Sequence, residues 1–166
     1  MKKVYLALGS NLENPFNQVK TAIEELGKHP HLTVIRHSSL YLNPPLGKLD
    51  QPEFINAVLE AVTTLPAHDL LALSLLLEAN HQRHRVEKNG PRTLDVDILL
   101  YGNEIIDTDS LQIPHPRLHE RSFAVLPLAE IAPELVLPCG TSIQHLVKNF
   151  NPQSLIKLTM LGEKCE

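Results

Sequence analysis

Thr93-Leu94-Asp95-Val96-Asp97-Ile98-Leu99-Leu100-Tyr101 is the stretch on which the fold turns. An apolar run of this length ended by Gly102-Asn103 reads as a strand, and it closes a series that opens at the other end of the chain. Lys3 to Leu8 is a first strand, stopped by Gly9. Asn14-Pro15 starts a helix, with Asn as N-cap and Pro at the first helical position. Val19, Ala22, Ile23 and Leu26 then recur at helical spacing until Gly27 stops the run. Leu32 to Leu42 is a strand that Asn43-Pro44-Pro45-Leu46-Gly47 cannot continue, because proline lacks the ladder donor. Phe54 to Val62 is another strand, and Pro66 opens a strongly apolar helix reaching about Arg83. Ser122 to Ala132 is a last helix that must bend or begin late around Pro127. The tail beyond Phe150 carries little pattern. The order β-α-β-β-α-β with a helix-rich end predicts an α+β split βαβ sandwich: a mostly antiparallel sheet with helices packed on one face.

Two aspartates interrupt this otherwise greasy strand. Side chains alternate along a strand, so Asp95 and Asp97 share one face while Leu94, Val96, Ile98 and Leu100 point into the core. Strands disfavour aspartate, and two like charges side by side invite a cation. Magnesium is the natural one, since it takes one or two protein carboxylates and completes its shell with phosphate oxygens. The bland alternative is a pair of solvated carboxylates tied to Arg92.

Just upstream, Arg83, Arg85, Lys88 and Arg92 crowd into the stretch 83–92, opposed by Glu87 alone. Alone this would be an ordinary solvated charge run. Beside a carboxylate pair it suits a polyphosphate, whose oxygens arginine grips bidentately. Phe54 and Asn56 lie on one strand face, where a ring and an amide edge can stack on and hydrogen-bond to a planar ligand. Phe123 could cover the ligand's second face, and Pro44-Pro45 would stiffen the rim. Each phenylalanine taken singly fits a core role better, and Pro44-Pro45 alone a rigid turn. In Pro114-His115-Pro116-Arg117-Leu118-His119-Glu120-Arg121, His115 and Arg121 are candidate phosphate or ribose contacts. No G-x-x-x-x-G-K-[ST] loop or protein-kinase signature occurs.

Length and composition set the frame. The 166 residues, 43% of them hydrophobic, make one domain over 1–166 with one core. A net charge of -4, no tryptophan and 4% aromatics argue against a nucleic-acid binder, leaving an RNA-binding split βαβ module as the weaker alternative. A zinc hydrolase built on His115 and His119 is another alternative, short of the three ligands such a site needs. Val4 to Leu8 is too short for a secretory leader, and Leu70 to Leu77 is too short to span a bilayer. With only Cys139 and Cys165, no disulfide framework is expected. These features predict a cytoplasmic, monomeric protein acting on small molecules, with no nucleic-acid or membrane partner.

The landmarks together resemble a known family. Leu8-Gly9-Ser10-Asn11-Leu12, Pro44-Pro45-Leu46-Gly47, Gln51-Pro52, Asn56-Ala57, Gly90 to Asp97, Pro114-His115 and Ile131-Ala132-Pro133-Glu134-Leu135 are similar to those of the 6-hydroxymethyl-7,8-dihydropterin pyrophosphokinases of folate biosynthesis. The Gly-Pro-Arg-x-x-Asp-x-Asp segment is the most specific of them. The resemblance implies a ferredoxin-like fold and an ATP-dependent diphosphotransferase that moves diphosphate from ATP to the pterin hydroxymethyl group and releases AMP. It implies two Mg2+ ions on Asp95 and Asp97, and catalytic roles for Arg83, Arg92, Asp95 and Asp97. It implies ATP contacts from Glu78, Arg83, Arg85, Arg92, Ile98, His115 and Arg121. It implies pterin contacts from Asn43, Pro44, Leu46, Phe54, Asn56, Asp95 and Phe123. The chain departs from a family member at Lys88-Asn89, which stand where that member has arginine-tryptophan, and the loop here is one residue shorter.

Overall fold

The computed structural model describes residues 1–12, 14–43, 53–81, 93–160 and 162–164. Its centre is β1 (Lys2–Ser10), flanked by β4 (Phe54–Thr63) and β5 (Asp95–Tyr101), both antiparallel to it. The other edge of β4 is shared end to end by β2 (Leu32–His37) and β3 (Tyr41–Asn43). Because β1 and β2 each run against β4, they are parallel to one another with β4 between them, which is the split βαβ. Helices α1 (Pro15–Gly27) and α2 (Ala67–His81) make the two crossovers. A short hairpin, β6 (Ile106–Asp107) and β7 (Gln112–Ile113), follows β5, and β8 (Ile156–Lys157) pairs with β3. No helix among the described residues is long and apolar enough to cross a membrane.

Both faces of the sheet are covered, which corrects the expectation of helices on one face. Val4, Leu6 and Leu8 of β1 join Val19, Ala22, Ile23 and Leu26 of α1 and Leu70 and Leu77 of α2 in one cluster. Tyr5, Val58 and Leu99 join Val125 and Leu128 of α3 (Ser122–Ile131) and Ile143 and Leu146 of α4 (Ile143–Val147) in a second. The reason is legible in Val4-Tyr5-Leu6-Ala7-Leu8, a run apolar at consecutive positions, which belongs to a strand buried from both sides. The covering of this face by α3 and α4 also removes the open stacking surface that the RNA-binding alternative requires.

Four local departures have physical causes. Leu32 to Leu42 is two strands, broken at Ser38: its backbone N–H donates to the Val58 carbonyl at 2.8 Å, while its Oγ accepts from the Val58 N–H at 2.9 Å. A hydroxyl thus stands in for a ladder carbonyl. Asn14 precedes α1 in the left-handed region (φ 63°) without capping through its side chain; its carbonyl instead accepts from the Gln18 N–H at 3.1 Å. In β5 the register slips between Tyr5↔Leu100 and Leu6↔Ile98, so Leu99 is the extra residue of a bulge. The slip turns Leu100 toward the α3 face, so Leu94, Val96 and Ile98 pack on the first face as expected and Leu100 does not. Pro127 lies inside α3, buried, and removes the helical donor to the Phe123 carbonyl without ending the helix.

Candidate active site at the ends of the central strands

The sheet lines up the chemistry in rows. Gly9 of β1 pairs with Asp95 on one side and Asn56 on the other, and Asn56 pairs in turn with Tyr41. Two rows further along the β3–β4 ladder, Asn43 stands against Phe54. These residues sit at or near the ends of their strands, where their side chains line a hollow.

A cavity of about 190 Å3 opens there, on the α3 side of the sheet. It gathers Asn43, Phe54, Asn56, Asp95 and Phe123, all named from the sequence as ring contacts, together with Asp97 and Arg121, named from it for the metal and the nucleotide. Phe123 enters because Ser122 begins α3 beside the strand ends. The Asn56 side chain is almost fully buried, and its Oδ1 has no hydrogen-bond partner among the described residues. A buried amide oxygen left unmet costs roughly 1–3 kcal/mol, which a ligand N–H would recover.

A second hollow of about 340 Å3 lies beyond the β5 edge, between that strand, the β6–β7 hairpin and the segment after it. Ile98 and His115 line it, together with Leu71, Leu111 and Pro116. Asp97 lines both hollows and marks their junction. The His115 backbone N–H donates to the Leu99 carbonyl at 3.1 Å, so the bulge residue anchors the segment carrying His115. Burial holds the His115 imidazole below its usual value; Asp97 opposes that shift, while Arg121 and Arg117 add to it.

Arg121 ties the junction together. Its Nη1 lies 3.5 Å from Asp97 Oδ2, and its guanidinium carbon stands 5.5 Å from the centre of the Phe123 ring. Stacked over an aromatic and paired with one carboxylate, it retains donors for an anion. Asp95 and Asp97, from one strand and on one cavity wall, fit the hard oxygen donors that magnesium takes. Glu78 lines neither hollow: its Oε2 accepts from the Val96 N–H at 2.8 Å, bracing the outer edge of β5 between the two aspartates. Pro44, Leu46, Arg83, Arg85 and Arg92, with Lys88-Asn89, lie outside the described residues. His119 is exposed on the turn Leu118–Glu120, and no three His, Cys, Asp or Glu side chains among the described residues cluster as a zinc site would need.

Sequence reasoning missed two supports. One is Gly9, read as a strand stop and as part of the Leu8-to-Leu12 landmark but given no place in the site. The other is Glu130 near the end of α3, which accepts from the Ser39 N–H at 2.9 Å, the Ser39 hydroxyl at 2.7 Å and the Tyr41 hydroxyl at 2.8 Å. Lys157 of β8 adds an ammonium at 3.8 Å. Glu130 thus clamps α3, which carries Phe123, to β3, which carries Asn43. No sequence spacing links these positions.

Burial works to raise the Glu130 carboxyl, but the Ser39 and Tyr41 hydrogen bonds, with Lys157, outweigh it and hold it below the ordinary value of 4.5. The sign follows from the folded value lying under the unfolded one. The clamp stabilises fully above pH 4.5 and is lost as pH falls through the depressed folded value. Glu130→Gln should therefore be less stable than the parent at neutral pH, with the gap closing below about pH 4. Thermal unfolding of both proteins from pH 7 to 3 checks this, and a gap that does not narrow rejects the clamp.

The comparisons with known proteins agree with this geometry. Residues 5–133 match the model of the 7,8-dihydro-6-hydroxymethylpterin-pyrophosphokinase family, and the chain belongs to that family. It is 44% identical over 158 residues to the 2-amino-4-hydroxy-6-hydroxymethyldihydropteridine pyrophosphokinase of Haemophilus influenzae, covering 95% of this chain and 99% of that one. It is 40% identical over 147 residues to the enzyme of the same name from Pseudomonas aeruginosa, covering 89% and 91%. Among solved structures, Plasmodium falciparum HPPK-DHPS with SDX-DHP superposes with a TM-score of 0.74 at 16% identity, over 99% of this chain. This chain spans 49% of that longer one, and at such low identity the likeness bears on the fold alone.

Proposed function

We infer that the chain transfers a diphosphate group from ATP to the hydroxymethyl oxygen of 6-hydroxymethyl-7,8-dihydropterin, releasing AMP, as a step of folate biosynthesis. One observation carries the reading: Asp97 lies at the junction of a small aromatic-lined cavity and a larger adjoining groove. Two substrates seated in those hollows would bring their reacting ends together beside a carboxylate pair. The family membership supports the same reaction.

The pterin ring occupies the smaller cavity. Phe54 and Phe123 stack on its faces, the unmet Asn56 oxygen accepts a ring N–H, and Asn43 lines the edge. Pro44 and Leu46 remain candidate ring contacts from the sequence. The nucleotide lies along the groove against Ile98 and His115. Arg121, with Arg83, Arg85 and Arg92, holds its phosphates, and Glu78 acts indirectly by bracing β5 at Val96. Asp95 and Asp97 hold two Mg2+ ions, which when bound neutralise the triphosphate and polarise the phosphoryl oxygens.

The hydroxymethyl oxygen forms a bond to the β-phosphorus as the bond from that phosphorus to the α–β bridging oxygen breaks. The bridging oxygen leaves on AMP, and the hydroxyl proton passes to the Asp97 carboxylate. No covalent nucleophile is needed, because such transfers depend on alignment and charge stabilisation. We further propose that the chain acts on small molecules as a monomer in the cytoplasm.

Incubation with magnesium, ATP and the hydroxymethyl pterin should give AMP and pterin diphosphate in equal amounts. ADP in place of AMP would overturn the reading.

A further inference from the structure

We propose that Gly9 is a positioning residue that sets the floor of the ring cavity by leaving room for the Asn56 carboxamide. The inference rests on the assignment of that cavity to the pterin ring. Gly9 lines the cavity, in register between Asp95 and Asn56. A Cβ at this position would stand 2.7 Å from Asn56 Nδ2, closer than real Cβ contacts come, whereas its next neighbours, Asn56 Cγ and the Ile55 carbonyl, lie at 3.8 Å. The clash is therefore with one functional group. Gly9 has no left-handed backbone, so a larger residue meets no conformational strain there. The glycine is required for space alone.

The Asn56 amide has little freedom to move aside. The residue is 7% exposed on the central strand β4, with β1 on one side and β3 on the other. A methyl at position 9 would push the carboxamide up into the volume the ring must fill, or rotate it so that its oxygen no longer meets the ring edge. In either case the loss falls on recognition of the ring. The phosphates and the nucleotide groove are untouched, because Gly9 does not line that groove.

A double-mutant cycle on KM for the pterin tests the coupling. Gly9→Ala should raise that KM roughly 10- to 100-fold, the scale of one lost polar contact to a buried group, with KM for ATP unchanged. In an Asn56→Ala background the same Gly9→Ala change should alter the pterin KM by less than about twofold, since the group it displaces is gone. Equal effects in both backgrounds would overturn the inference while leaving the cavity assignment standing. A normal pterin KM in Asn56→Ala alone would overturn the assignment beneath it. Should Gly9→Ala fail to fold, the double variant decides: it must fold as stably as Asn56→Ala, and failure there also rejects the coupling.

Discussion

Asp97→Ala is expected to lower kcat on the order of 10³-fold or more, the scale on which charge-compensating groups matter in phosphoryl transfer, while the fold survives. Asp97 alone among the described residues lines both hollows, and under the proposed reaction its carboxylate would serve the metal and the reacting oxygens at one point. It also holds Arg121 at 3.5 Å. Its loss therefore frees a guanidinium from the position it needs over Phe123. The side chain is 41% exposed, so truncation leaves no core cavity and should shift the melting temperature little. Single-turnover rates with saturating substrates, beside a melting curve, separate these effects. A variant that turns over at the parental rate would remove Asp97 from the chemistry, and one that fails to fold would show that its role is structural.

The largest expected loss of stability lies under α3, on the same side of the sheet as the ring cavity. Leu128 of α3 is fully buried in the cluster with Tyr5, Val58 and Leu99. Leu128→Ala should cost about 3 kcal/mol, combining the transfer term with the cavity left behind. For a domain of this size that corresponds to a fall in Tm of roughly 6–12 °C. The same helix carries Phe123 at its start and Glu130 near its end. A loosened α3 should therefore raise KM for the pterin as well. A measured cost under about 1 kcal/mol would mean that α3 packs on the sheet far less tightly than its burial implies.

Much of this arrangement was legible in the sequence because it depends on periodicity. The alternation Leu94, Val96, Ile98 against Asp95, Asp97 predicted which side of β5 carries the carboxylates, and the structure places both on one cavity wall. The apolar spacing of Val19, Ala22, Ile23 and Leu26 likewise predicted the buried face of α1. What escaped depends on tertiary partners. The Leu99 bulge is a slip of register against β1, which only the pairing of the two strands reveals. The break at Ser38 needs Val58, twenty residues on, to reveal itself. The β6–β7 hairpin left a faint signal in Asp107-Thr108-Asp109-Ser110 between apolar residues, and Thr108 closes it by bonding to Leu111. Gly9 was visible as a residue, but its reason is a neighbouring amide that only the register brings near.

The short strand β8 gives β3 a second neighbour, through Tyr41↔Lys157 and Leu42↔Ile156, with the Leu158 N–H donating to the Leu40 carbonyl at 2.9 Å. In terms of hydrogen exchange, β3 is a strand of three residues protected by β4 on one edge and, on the other, by a segment more than a hundred positions later. Its amides that face β8 should exchange with the tempo of the tail's detachment from the sheet edge, faster than those of β1 and slower than those of a free loop. Deuterium uptake along β3 would then report how firmly the wall bearing Asn43 is held, without any ligand present.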